Sequence, residues 1–217
     1  TERGLTVMSH AEDREISPWD YRLAENIETV RNCHLAEYYG TRLHMCHVST
    51  KESIDAIRMS RLKGARVSCE VTPHHLWFDD SRLQYKVNPP IRKADDVTAL
   101  IEAIRDGTVT CIGTDQGIST SAYCSCYTKL CREQRLPLEL LSFLMSAGPA
   151  AVLGLADHKG MLAPGYDADV VLVDLDHMYE VSAEDLHSKS KNCPYDGTLL
   201  YGKVVTTIKG GKVTFQI

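Results

Sequence analysis

Three apolar runs in this chain each end on a side chain that can bind a metal ion: Leu5-Thr6-Val7-Met8-Ser9-His10, Leu43-His44-Met45-Cys46-His47 and Val109-Thr110-Cys111-Ile112-Gly113-Thr114-Asp115. Imidazole and carboxylate are ordinary zinc ligands, and side chains at the C-terminal ends of parallel strands converge on one mouth of a (β/α) barrel. Ligands far apart in sequence can therefore share an ion there, and the chemistry implied is metal-dependent hydrolysis. Taken singly the residues carry less. A histidine at a strand end is more often a satisfied polar group than a ligand, and Asp115 alone could cap a helix.

The intervening elements must position them. Ser17-Pro18-Trp19-Asp20 has the form of a helix start, with serine at the N-cap and proline at the first helical position. That helix should run to about Tyr39, where Gly40 supplies a left-handed stop. Arg42 to Val48 reads as a short buried strand. Ser49-Thr50-Lys51-Glu52 has the pattern of a capping box, and Ile54, Ile57, Met59 and Leu62 give the following helix a roughly apolar face. Gly64 ends it before a strand from Arg66 to Thr72. Pro73 to Leu83 reads as loop with a short helical turn. In Tyr85-Lys86-Val87-Asn88-Pro89-Pro90 each residue before a proline is pushed out of the α region, so Asn88 is held on a stiff, extended segment. Val97, Leu100, Ile101 and Ile104, at i, i+3, i+4 and i+7, predict an amphipathic helix stopped by Gly107. Four strands thus end near His10, His47, Thr72 and Asp115, joined by right-handed crossovers under the usual rule.

Beyond Asp115 the character changes. Ser119 to Gln134 and Leu136 to Leu155 look helical, with breaks near Pro137 and Gly148-Pro149. Gly165 to Asp169 is a turn feeding the apolar strand Val170 to Val173. Val204 to Ile208 and Lys212 to Phe215 flank Gly210-Gly211, a two-residue hairpin signal. A small β domain beside the barrel follows, with no catalytic constellation of its own.

Composition narrows the partner. With 217 residues, 43% hydrophobic and 24% charged, the chain can bury one or two cores, and a net charge of -5 offers no basic stripe for a nucleic-acid backbone. No apolar stretch approaches the length that spans a bilayer, and the N-terminus lacks a signal-peptide pattern. The eight cysteines follow no zinc-finger or secreted-scaffold spacing and read as reduced thiols in a cytoplasmic protein. Cys124, Cys126 and Cys131 alternate with polar residues on an expected helix and are set aside as ligands. A small-molecule substrate is the expected partner, with neither nucleic acid nor membrane.

His10-Ala11-Glu12-Asp13, His47-Val48-Ser49-Thr50, Glu70-Val71-Thr72-Pro73-His74-His75, Tyr85-Lys86-Val87-Asn88-Pro89-Pro90 and Thr114-Asp115 occur in this order along the chain. Together they resemble the dihydroorotases of the amidohydrolase superfamily, as do Gly165 to Asp174 and Ser188-Lys189-Ser190-Lys191-Asn192. The resemblance implies an α/β fold: the C-terminal half of a metal-dependent hydrolase (β/α)8 TIM barrel, residues 1–155, and a small C-terminal β-sandwich domain with its extension, residues 156–217. It implies a centre of two Zn2+ ions, with His10 and His47, on barrel strands five and six, binding the second. By the same resemblance Asp115, on strand eight, is expected to contact the first zinc and to shuttle the proton as the catalytic residue. Asn88 binds substrate, its amide donating and accepting against an imide-like edge. His74 and His75 are left structural, and His34, His44, His158, His177 and His187 unrelated to chemistry.

The chain departs from that family twice. The histidine-x-histidine motif of strand one and the aspartate or carboxylated lysine of strand four have no counterpart, so an N-terminal barrel half is expected from sequence outside these residues or from another polypeptide. Four strands cannot close an eight-stranded barrel. The family also follows threonine-aspartate with a histidine-alanine-proline-histidine loop and a glycine-rich return, whereas this chain passes from Asp115 to Gln116-Gly117-Ile118. Either a loop is unrepresented there, and Gln116 and Gly117 line the substrate site through their backbone, or it is deleted and a substrate-binding histidine is lost.

The expected activity is zinc-dependent, reversible cyclisation of N-carbamoyl-L-aspartate to dihydroorotate in pyrimidine biosynthesis. The alternatives are an allantoinase or dihydropyrimidinase, against which Tyr85 to Pro90 speaks, and a non-catalytic scaffold for aspartate transcarbamoylase, against which the retained His10, His47 and Asp115 speak. The resemblance admits a homodimer and an aspartate transcarbamoylase partner.

Overall fold

Four short parallel strands carry the candidate ligands. The computed structural model describes residues 4–83, 85–115, 123–186, 189 and 191–217. Strands β1 (Thr6–Ser9), β2 (Arg42–Met45), β3 (Val67–Val71) and β4 (Cys111–Ile112) lie side by side in that order. Between them run α1 (Tyr21–Tyr39), α2 (Lys51–Leu62), α3 (Pro73–Trp77) and α4 (Ala94–Arg105). The parallel register sets Ser9 opposite Met45, Met45 opposite Cys69, and Glu70 opposite Cys111. The residues that follow the strands therefore leave the sheet at one end.

Local chemistry explains where the helices begin. Helix α1 starts at Asp20, not Ser17: the Asp20 carboxylate accepts from the Arg22 and Leu23 N–H groups at 2.8 and 2.9 Å, while Ser17 and Pro18 form a preceding turn. Gly40 ends it in the left-handed conformation, φ 62°. Helix α2 is capped by Thr50 rather than Ser49, whose hydroxyl is committed to Glu25. Its buried face is Ser53, Ile54, Ile57 and Ser60; Met59 and Leu62 are exposed. Met59 lies about 140° around the helix from Ile54, too far to share its face. Leu100, Ile101 and Ile104 of α4 are buried as their spacing predicts. Together with Met45, Cys69, Val71, Ile54 and Ile57 they form a core worth roughly 1.5–3 kcal/mol for each large side chain.

Two ion pairs fasten the helices around this core. Arg22 grips Asp96 through both carboxylate oxygens at 2.7 and 2.8 Å, and Asp96 also accepts the Lys51 N–H at the start of α2. Burial raises the Asp96 carboxyl, but Arg22 and that N–H outweigh it and hold the group below its ordinary value. The deeper pair joins Arg92 to Glu25 at 2.9 Å, both almost fully buried. Glu25 also accepts the Ser49 N–H at 2.9 Å, and Arg92 Nε donates to Ser49 Oγ at 2.8 Å.

By packing, the chain divides into two compact units, Thr1–Gly113 and Thr114–Ile217. Helices α5 (Tyr123–Gln134), α6 (Leu138–Ser142) and α7 (Gly148–Leu153) thus fall with the β-strands of the second unit, whereas a boundary at 155 would leave them with the first. The expected break at Gly148-Pro149 is a single π-helical turn, Phe143–Ala147, in which the Gly148 N–H reaches back to Phe143. Pro149 then occupies the first turn of α7, where its missing N–H costs nothing.

Strands β5 (Val170–Glu180), β6 (Leu199–Lys209) and β7 (Lys212–Gln216) form one antiparallel sheet in that order, each longer than its sequence signal. Gly210 and Gly211, at φ 56° and 76°, make the β6–β7 turn with both central residues left-handed. At Gly202 a Cβ would lie 2.8 Å from Thr128, so glycine lets α5 approach β6. A sandwich needs two sheets, and the described residues of this unit form a single one, of three strands. No helix among the described residues is long and apolar enough to cross a membrane, and none of the eight cysteines forms a disulfide.

Arg92→Met should leave Glu25 charged and unpaired in the core. Urea unfolding should then show a loss of roughly 3–5 kcal/mol, the usual cost of breaking a buried pair from one side; a loss below about 1 kcal/mol, the range of exposed pairs, would contradict the role given to this contact.

Candidate metal centre

Because β1 and β2 are paired in register, the residues just beyond them leave together. The Cys46 N–H still bonds to Ser9 O at 2.9 Å, and one step further the two rings meet. His10 Nδ1 lies 2.8 Å from His47 Nε2, the rings edge-on at 69°. His10 Nε2 is 2.8 Å from Glu12 Oε2, and the Asn88 amide donates to the same oxygen at 2.7 Å. Asn88 and then His10 hold the Glu12 carboxyl down at about 2. An ionised carboxylate only accepts, so the His10 proton sits on Nε2 and its Nδ1 lone pair faces His47.

This donor set fits a metal ion. Zinc–nitrogen bonds of 2.0–2.1 Å place two nitrogens of a tetrahedral site ~3.3 Å apart, so the His10 and His47 rings need to part by only ~0.5 Å to admit one. A carboxylate on the far nitrogen of a ligating imidazole fixes its tautomer and orientation, which is Glu12's position relative to His10.

Backbone conformation marks two of the expected residues. His47 at φ 37° and Asp115 at φ 46° are left-handed without being glycine, as among the described residues is Arg135 alone besides. Such conformations cost about 1–3 kcal/mol each and cluster at functional sites. At His47 the turn ends the strand and swings the imidazole towards His10. Asp115 lies three residues past β4, partly buried, and belongs to the second compact unit. Gln116 and Gly117 lie outside the described residues, as does His187.

The supports of the site come from further away. The buried Glu25–Arg92–Ser49 cluster holds the residues after His47 and the segment after Pro90 against α1. His75, fully buried, is bonded through Nδ1 to Thr72 Oγ1 at 2.7 Å and donates from Nε2 to Pro89 O at 3.0 Å. Burial pushes the His75 ring down to about 4, so it is neutral and anchors the segment bearing Asn88. His74 is buried beside it. Strand-end spacing brings forward His10 and His47, and the resemblance Asn88; in the structure His10 and Asn88 meet on Glu12, and His47 meets His10. Glu12 itself was not singled out, although the His10-Ala11-Glu12 spacing was its signal. The Glu25–Arg92 contact spans 67 residues and leaves no local mark.

The Amidohydrolase family matches residues 1–214, and the chain belongs to that family. A dihydroorotase of Clostridium botulinum (strain Eklund 17B / Type B) is 42% identical over 230 positions, covering 99% of this chain and 57% of the relative. A dihydroorotase of Geobacter metallireducens is 35% identical, covering 98% and 59%, and one of Lactobacillus johnsonii 36%, covering 89% and 51%. The chain thus spans a little over half the length of these curated relatives. Among solved structures, a D-hydantoinase superposes with a TM-score of 0.90 at 22% identity, over 99% of this chain and 58% of that one. The L-hydantoinase (dihydropyrimidinase) of Arthrobacter aurescens gives 0.90 at 25%, over 98% and 57%. These superpositions establish a shared fold.

Glu12→Ala should lower the affinity of the full-length protein for zinc by roughly 10–100-fold in a chelator competition, the usual effect of removing a ligand's orienting partner. Unchanged affinity would mean that Glu12 does not orient a ligand.

Proposed function

We propose that this chain is the second half of the barrel, with the adjoining β domain, of a dihydroorotase that interconverts N-carbamoyl-L-aspartate and dihydroorotate. The observation that carries this reading is the chain of contacts from His47 to His10, from His10 to Glu12 and from Glu12 to Asn88, in a chain whose relatives at 35–42% identity bear that name. His10 and His47 would hold one of two zinc ions, and Asp115 would serve the other. When bound, the metal supplies Lewis acidity that makes water nucleophilic near neutral pH. Asp115 takes one proton of the attacking water and returns it to the ring nitrogen as the C–N bond opens, and the second proton passes to solvent as the product ionises to a carboxylate; cyclisation reverses each transfer. Asn88, held by Glu12 and the His75–Pro89 bond, meets the polar edge of the substrate. In the proposal Gln116 and Gly117 line the other side.

The first barrel half comes from the length that the relatives have and this chain does not. The exposure of Val7 and Met8 on the edge strand β1, and of Leu5 just before it, each more than half exposed, supports this reading. The four strands are read as barrel strands five to eight, the three-stranded sheet as part of a sandwich and residue 155 as the division between them. The match to the Clostridium protein runs over 230 positions, more than the 217 residues of this chain, so that relative has residues this chain lacks; a loop after Asp115 would account for them. Free thiols suit a cytoplasmic enzyme. A hydantoinase or dihydropyrimidinase activity is the second reading, favoured by the superpositions but by no higher identity than 25%.

In the full-length protein, dihydroorotate hydrolysis should require zinc, disappear in His47→Ala and fall roughly 10²–10⁴-fold in Asp115→Asn, the scale of general acid–base catalysis. Asparagine tolerates the left-handed backbone, so the second variant should stay folded. Full activity in either variant would refute that residue's role; turnover of hydantoin or dihydrouracil without dihydroorotate would favour the second reading.

A further inference from the structure

Three residues before His47 the same strand carries His44, set aside above as unrelated to chemistry. It is fully buried beside Glu70 of β3 and Cys111 of β4, themselves paired across the sheet. One ligand atom from each lies within 4.8 Å of the others. Ser68 decides which nitrogen of His44 is available. Its hydroxyl donates its one hydrogen to Leu43 O at 3.2 Å, so it accepts from His44 Nδ1–H at 2.8 Å. That leaves Nε2 facing Glu70 Oε2 at 3.4 Å and Cys111 Sγ at 3.8 Å, the nitrogen that would offer its lone pair to a cation. At 3.4 Å the approach of Nε2 to the Glu70 carboxylate is long for a hydrogen bond.

We infer that His44 Nε2, Glu70 and Cys111 Sγ form a second cation site, for a divalent ion of zinc's class, separate from the centre at His10 and His47. Zinc bonded to nitrogen, oxygen and sulfur at 2.0–2.3 Å makes tetrahedral edges of ~3.3 Å for N–O and ~3.6 Å for N–S, close to the separations present. The ligand types suit a borderline-soft ion rather than magnesium or calcium. Room for the carboxylate is built in: a Cβ on Gly113 would lie 2.3 Å from Glu70 Oε1. Three protein ligands leave a fourth position for water or another donor. Binding breaks the Cys111 S–H bond and forms a sulfur–metal bond, the proton passing to water. Burial raises the Cys111 thiol well above its ordinary value, and a bound cation reverses that preference. The ion would tie β2, β3 and β4 together.

Sulfur separates this site from the other, whose expected ligands are histidine and aspartate. The full-length protein, stripped of metal and titrated with cobalt(II), should develop a near-ultraviolet thiolate-to-cobalt charge-transfer band at one equivalent. The band should vanish in Cys111→Ser and persist in His47→Ala and in Cys46→Ser, the thiol next to His47. Cobalt binding without the band, or a band that survives Cys111→Ser, would overturn the site. Should Cys111→Ser fail to fold, X-ray absorption of the zinc-loaded wild type decides: a sulfur at about 2.3 Å supports the site, and nitrogen and oxygen neighbours alone refute it. Loss of dihydroorotate hydrolysis in His47→Ala with the cobalt band intact would keep the two proposals distinct.

Discussion

The buried contact between Glu25 and Arg92 is the constraint on which the candidate centre depends. A carboxylate and a guanidinium that far from water are stable only while each satisfies the other and the remaining hydrogen bonds are made. Here those bonds go to the Ser49 N–H and hydroxyl, just after His47, while Arg92 stands two residues beyond Pro90. One charge pair therefore fixes helix α1, the end of β2 and the segment bearing Asn88 in a single arrangement. His75 adds a second tie from α3 to Pro89.

On that base the ligands gain their orientation from small local devices. A left-handed turn at His47 ends its strand, Glu12 fixes the His10 tautomer, and Asn88 shares the same carboxylate oxygen. The strain at His47 is carried by the rigid strands and helices around it, which is how a functional conformation persists without glycine. His44 shows the same logic a turn earlier on the strand, with Ser68 in the orienting role. Two groups of metal-binding side chains would then share one sheet, each built on neighbouring strands.

Much of this was legible in the residues themselves. Apolar runs with a ligand at the end announced β1, β2 and β4, and Gly40 and Gly210-Gly211 announced their turns, because strand burial and left-handed backbone are decided locally. The start of α1 was misplaced because Asp20 out-competes Ser17 for the cap, and the α2 face because apolar type says nothing of helical angle at Met59 and Leu62. Glu25, Arg92 and the His44–Glu70–Cys111 group were illegible for a different reason. Their meaning lies in contacts between residues dozens of positions apart, which only the folded chain brings together.

The central claim is that His10 and His47 converge in order to share a metal ion. Anomalous diffraction at the zinc edge, from crystals of the full-length protein grown with zinc, tests it directly. The account predicts a zinc peak within about 2.0–2.1 Å of both His10 Nδ1 and His47 Nε2, with those nitrogens spread beyond their present 2.8 Å. A peak touching neither ring, with the two nitrogens still in direct contact, would contradict it.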